Sequence, residues 1–152
     1  VARKSDNYNA VVKVLSSYVL IRGHIEFLEL KLSEVTYNDG LSSVRYDSDF
    51  ASKTNKITRI VEETAIKNIE YTDLLKQQIK LYNNKIKLLE TSVSYLKPVQ
   101  QKIVKMRYFD KLDWNHICET LLYSRGACYK HHEQAIEQLD TLLYGSGLWV
   151  SA

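Results

Sequence analysis

Apolar residues recur at helical intervals over most of the chain. From about Asp6 to Glu34 they fall at Val11, Val12, Val14, Leu15, Val19, Ile21, Ile25, Leu28 and Leu32, close to the 3.6-residue period of an α-helix. Leu20, Phe27 and Leu30 widen that stripe, so the first segment is expected to be buried on more than one side. Residues 36–50 break the pattern. Asn38-Asp39-Gly40 is a turn signal, because Asp bonds its own backbone and Gly accepts positive φ. Ser42, Ser43 and Ser48 add polarity, and a long, mobile connection is expected there. A second helical segment follows from about Ser52 to Leu96. Its later half carries Leu75, Ile79, Tyr82, Ile86, Leu89, Val93 and Leu96, at alternating steps of four and three. That is an a/d heptad, which presents a narrow seam to another helix. Lys76, Lys80, Lys85 and Lys87 lie off the seam and read as a solvated back. The seam has two competing uses: packing on the first segment, or a homodimer through residues 75–96.

Pro98 then punctuates the chain. Proline fits the first turn of a helix, and the residue before it is pushed away from helical angles. A domain boundary is therefore expected near Lys97. The first helix beyond it runs from Pro98 to Phe109, with Val99, Ile103, Val104 and Met106 facing inward. Asp113 is a candidate N-cap for a second helix, in which Trp114, Ile117, Cys118 and Leu121 share a face. Leu122-Tyr123 forms a tight link. Ser124 is the N-cap of a third helix, whose inner face is Cys128, Ala135, Ile136 and Leu139, continuing to Leu142 or Leu143. A supporting helix, a short capped helix, a tight link and a second capped helix make a helix-turn-helix.

One proline and five glycines are too few breakers for a many-stranded sheet. The expected fold class is all-α: long N-terminal helices in a hairpin or coiled coil (1–97), a three-helix helix-turn-helix domain (98–144) and a tail (145–152). No run of about 18 apolar residues suggests a membrane span. The start of the chain lacks both an initiator Met and the order of a signal peptide, and a cytoplasmic location is expected. Two cysteines, Cys118 and Cys128, make no disulfide framework and read as reduced core thiols. The net charge of +3 allows a nucleic-acid partner without demanding one.

In a helix-turn-helix the second helix of the pair lies in the major groove, and residues near its N-terminus reach base edges. The outward positions there are Arg125, Gly126, Tyr129, Lys130, His131 and Gln134. Arg takes guanine O6 and N7 in a bidentate pair, and Gln takes adenine N6 and N7. Lys130 and Tyr129 suit phosphate oxygens. Ser124 and the free N–H groups of the helix start form a further phosphate site. Gly126 and Ala127 keep the helix start slim. Upstream, Lys102, Lys105, Arg107 and Lys111 cluster as a flanking phosphate grip, while Glu133, Glu137 and Asp140 make the far end of the third helix acidic. His116, Cys118, Cys128, His131 and His132 do not have the spacing of a compact zinc site, and no cofactor is expected. No nucleophile–base arrangement or phosphate-binding glycine loop stands out, so the chain is not expected to be an enzyme.

The stretch Ile103–Phe109, then Leu112–Cys118, then Tyr123–His132, then Ala135-Ile136 resembles region four of sigma factors. It is more closely similar to phage late-gene transcriptional regulators of the ArpU and RinA type. Arg107-Tyr108, Trp114, Tyr123-Ser124 and Tyr129-Lys130-His131-His132 stand at the family's characteristic positions. Lys130 stands where Arg is usual, which loses bidentate geometry but keeps the charge. His131 stands where an apolar residue is common. The resemblance covers about residues 98–143. It implies a phage-encoded activator of late or packaging genes in a Gram-positive host, with double-stranded DNA and the host RNA polymerase as partners. Two other readings compete: a DNA-recognition subunit like a small terminase subunit, and a helical protein-interaction module that binds no DNA.

Overall fold

A computed structural model describes the backbone of residues 7–44 and 54–145, and the side chains of 7–37 and 59–145. Residues 1–6, 45–53 and 146–152 lie outside the described residues, among them Asp6, the later part of the expected connection (45–50), Ser52 and the tail beyond Gly145. The described chain is all-α: α1 (Tyr8–Ser16), α2 (Tyr18–Val44), α3 (Thr54–Ser94), α4 (Pro98–Val104) with a π-helical turn (Lys105–Phe109), α5 (Trp114–Leu121) and α6 (Arg125–Tyr144). No described helix is long and apolar enough to cross a membrane.

The first segment is two helices rather than one. The Ser17 hydroxyl donates to the Val14 carbonyl at 2.7 Å, a back-bond that bends helices. The Ser16 carbonyl beside the bend instead accepts from Lys111 Nζ at 3.0 Å. The expectation for residues 36–50 is corrected over its first part. Helix α2 runs on through Asn38-Asp39-Gly40 to Val44. A glycine inside a helix costs only about 1 kcal/mol, too little to stop a long, already nucleated ladder.

The heptad seam is occupied within the chain. Leu75, Ile86, Leu89, Val93 and Leu96 are buried, and Ile79 and Tyr82 are half-buried. On α2, Tyr18, Ile25 and Leu28 are buried and Ile21, Leu32 and Val35 half-buried, which completes a matching heptad. Tyr18 donates to Glu90 at 2.6 Å, and the His24 ring meets Tyr82 edge-on at 4.8 Å, so α2 and α3 run antiparallel. Burial on more than one side does not occur: Leu20, Phe27 and Leu30 are exposed.

The chain divides into two compact units, residues 1–22 with 85–152, and residues 23–84. This differs from the boundary expected at Lys97. In the first unit, Val11 and Leu15 of α1 and Val93 and Leu96 around the end of α3 share one core with Val104, Tyr108, Ala135, Ile136 and Leu139. α1 and the end of α3 thus supply two walls of the core that α4, the π-helical turn and α6 close. Pro98 ends a helix here without ending a unit. Gln101 Nε2 donates to the Ser94 and Leu96 carbonyls at 3.0 and 2.8 Å, tying the end of α3 to the start of α4. The second unit is the α2–α3 hairpin, with Ile25, Leu28 and Leu75 buried along its seam.

Candidate nucleic-acid interface

Both expected N-caps are made. Asp113 Oδ1 accepts from His116 N–H at 2.9 Å, and Ser124 Oγ from Ala127 N–H at 3.2 Å. Each satisfies a backbone donor that the helix start leaves orphaned. Helix α5 ends on Leu122 in the left-handed region, at φ 56° and ψ 37°. Tyr123 N–H then reaches the Cys118 carbonyl at 3.1 Å, and Leu122 N–H the Glu119 carbonyl at 3.3 Å, the bond pair of a Schellman motif. The link between α5 and α6 is thus three residues, Leu122 to Ser124.

The helices are held together by a polar and aromatic core. The π-helical turn inserts one residue before α5 and shifts the phase of the residues beyond it. Tyr108 therefore faces inward, 2.8 Å from His132 Nε2, while Phe109 stacks on Tyr18 at 3.7 Å between ring centroids. Burial pushes the Tyr108 hydroxyl up to about 12. Burial, with the nearby Arg107 charge, drops His132 to about 4. Both groups are neutral at ordinary pH, and the His132 tautomer sets which of the two donates across this bond. Trp114 meets His132 edge-on at 5.1 Å. Ile117 and Cys128 are fully buried, and Cys118 is half-buried. Burial and the adjoining Cys118 thiol push Cys128 up to about 11, which leaves it a poor nucleophile.

The start of α6 carries the expected reading residues. Arg125, Gly126 and Lys130 are exposed, and His131 and Gln134 are half-exposed. A Cβ added at Gly126 meets nothing within 4 Å, so that edge is open to an approaching ligand. The Arg125 guanidinium lies 5.9 Å from the centroid of the Tyr129 ring and donates to its hydroxyl, which favours the charged form. Tyr129 packs on Trp114 at 4.6 Å, and the Arg107 guanidinium lies 5.3 Å from the Trp114 ring centroid. Arg107, Trp114, Tyr129 and Arg125 thus form a series of two packed aromatic rings with a cation at each end. His131 sits against Tyr123 at 5.6 Å, a ring contact that holds it beside the turn.

The flanking grip is reduced by its own chemistry. Lys102 and Lys105 are exposed as expected. Arg107 donates to the Leu112 carbonyl at 3.0 Å, and Lys111 to the Ser16 carbonyl. These two cations stitch the module together. Asp140 also leaves the acidic surface: it is buried, and Asn7 Nδ2 donates to it at 3.0 Å. Trp114, expected on the inner face of its helix, also packs against Tyr129 and Arg107. Its spacing from Arg107 and Tyr129 carried no signal, because the three lie on different helical stretches. Among the described residues no group of three or more His, Cys, Asp or Glu side chains is gathered to hold a metal. No family model, curated protein or solved structure matches the chain.

Proposed function

We propose that the chain is a sequence-specific DNA-binding transcriptional regulator that reads the major groove with the start of α6. The observation that supports this reading is the pair α5–α6: two capped helices joined by a three-residue turn, with Arg125, Gly126 and Lys130 open at the leading end. That is the arrangement by which a helix-turn-helix brings side chains to base edges. Arg125 is the base-reading residue, Lys130 and the free N–H groups at the start of α6 take phosphate, and Lys102 and Lys105 add phosphate contacts. The resemblance to ArpU- and RinA-type regulators extends the proposal to a phage-encoded activator of late or packaging genes. Such an activator works in the host bacterial cytoplasm alongside the host RNA polymerase.

Selection of bound sites from randomised duplexes tests the reading. The chain enriches a defined site, and Arg125→Ala loses about 1–3 kcal/mol on that site, the worth of one bidentate base contact. The same variant loses far less on random duplex. Enrichment that Arg125→Ala leaves unchanged removes Arg125 from the reading surface. A second reading, a protein-binding module, draws on the turn itself: Leu122 is 91% exposed and Tyr123 40%. Failure to enrich any duplex, together with retained folding, favours that reading.

A further inference from the structure

Arg125 and Tyr129 are four residues apart on α6, so they are neighbours on one face of the helix. Alone, such a contact would restrain little, because both side chains are exposed. Here Tyr129 is itself held. Its ring packs on Trp114 at 4.6 Å. Trp114 in turn meets His132 edge-on at 5.1 Å, and His132 is buried and hydrogen-bonded to Tyr108. The Arg107 guanidinium, 5.3 Å from the Trp114 centroid, donates to the Leu112 carbonyl at 3.0 Å. A run of side chains thus leads from the core of the first unit to an arginine at its surface.

On the proposed reading of α6 as the DNA-recognition helix, we infer that Tyr129 is a positioning residue: it holds the Arg125 side chain in a restricted set of rotamers, and so raises the sequence preference that Arg125 confers. The Arg125 guanidinium lies 5.9 Å from the Tyr129 ring centroid, within the range of a cation–π contact. A free arginine surrenders much rotamer freedom when it docks. One that is already restrained surrenders less, which strengthens binding without any new contact. The guanidinium has five N–H donors, so it can stay against Tyr129 and still present two of them to a guanine edge. This role differs from the phosphate contact expected of Tyr129 from the sequence. A phosphate contact adds affinity for every duplex alike, whereas a residue that acts through Arg125 adds affinity only where Arg125 finds its base.

Two measurements on the full chain test the inference. The first is nitrogen relaxation of the Arg125 Nε–H without DNA. It is expected to show a restrained side chain in the wild type and a more mobile one in Tyr129→Leu; Tyr129→Phe, which keeps the ring on Trp114, is expected to retain most of the restraint. The second is the ratio of affinities for a duplex enriched by selection and for a random duplex. Tyr129→Leu is expected to lower that ratio about two- to fivefold, the worth of an exposed cation–π contact, with affinity for random duplex unchanged. In an Arg125→Ala background the same change is expected to leave the ratio alone, because no guanidinium remains to be held. An Arg125 side chain equally mobile in the wild type and Tyr129→Leu overturns the inference and leaves the reading role of Arg125 intact. So does a ratio that Tyr129→Leu lowers equally in both backgrounds, or does not lower at all, and so does a Tyr129→Phe variant as mobile as Tyr129→Leu. Selection that enriches no duplex overturns the DNA reading and this inference with it, whatever the relaxation shows.

Discussion

The two units solve the burial problem differently. Around α6, the inward residues of α1, the end of α3, α4 and α5 close on one another, and Val11, Leu15, Val93, Ile103, Ile117 and Ile136 are fully enclosed. In the 23–84 hairpin only the seam closes. Ile25, Leu28 and Leu75 are buried, while Phe27, Leu30, Ile66, Ile69, Leu74 and Leu81 stay at least half exposed. Two helices make one line of contact and leave their flanks open; a third element turns a line into a core. The unit bearing the candidate reading helix closes a core of its own, whereas the hairpin leaves large apolar side chains exposed.

The largest contrast comes from α1. Leu15→Ala removes a fully buried side chain from a core shared with α6, and a loss of about 2–5 kcal/mol is expected. Leu74→Ala, on the open side of the hairpin, is expected to change single-chain stability by no more than about 0.5 kcal/mol. Urea unfolding of the two variants measures both, and equal losses would erase the distinction between the units.

Acid acts next, and on the first unit through one buried ring. His132 protonates near pH 6.5 in the unfolded chain but at about 4 in the folded one. Its contribution is therefore full above pH 6.5 and is lost as pH falls toward 4, by about 3 kcal/mol over that window. His132→Gln keeps a polar partner for Tyr108 without the titration, and its stability should fall less between pH 6.5 and pH 4. A parallel decline in both proteins would assign acid sensitivity elsewhere.

Smaller effects lie at the ends of α5 and α6. Ser124→Ala removes the N-cap of α6 and is expected to cost about 1 kcal/mol. Leu122→Gly relieves a left-handed residue that carries a side chain, a gain of about 1 kcal/mol, seen as a rise in Tm of about 2–4 °C. An unchanged or lowered Tm would mean that the exposed Leu122 side chain contributes contacts that offset its backbone strain.

Much of this architecture was legible in the residues. The seam from Leu75 to Leu96, the caps at Asp113 and Ser124, and the inner faces of the last three helices all rest on local periodicity or local hydrogen bonding. The parts that local pattern did not carry depend on distant partners. Pro98 looked like a boundary because proline breaks helices, but the packing of Val11 and Leu15 against α6 is invisible to any local pattern. Asn38-Asp39-Gly40 looked like a turn because propensity is local, whereas helix continuation is cooperative. Lys111 and Arg107 looked like phosphate ligands by charge alone. Only the fold shows the carbonyls of Ser16 and Leu112 within their reach. Arg125, Gly126 and Lys130 were named correctly as exposed because their positions depend directly on the phase of α6.

The most direct test of the central claim, that the start of α6 reads DNA, is fluorescence anisotropy of the full chain against duplexes tiled around its own gene. It is run at several salt concentrations, with Arg125→Ala/Lys130→Ala in parallel. One duplex is expected to be preferred over random sequence, with an affinity that falls as salt rises, and the double variant is expected to lose that preference. Binding that is absent even at low salt, or a preference that the double variant retains in full, would contradict it.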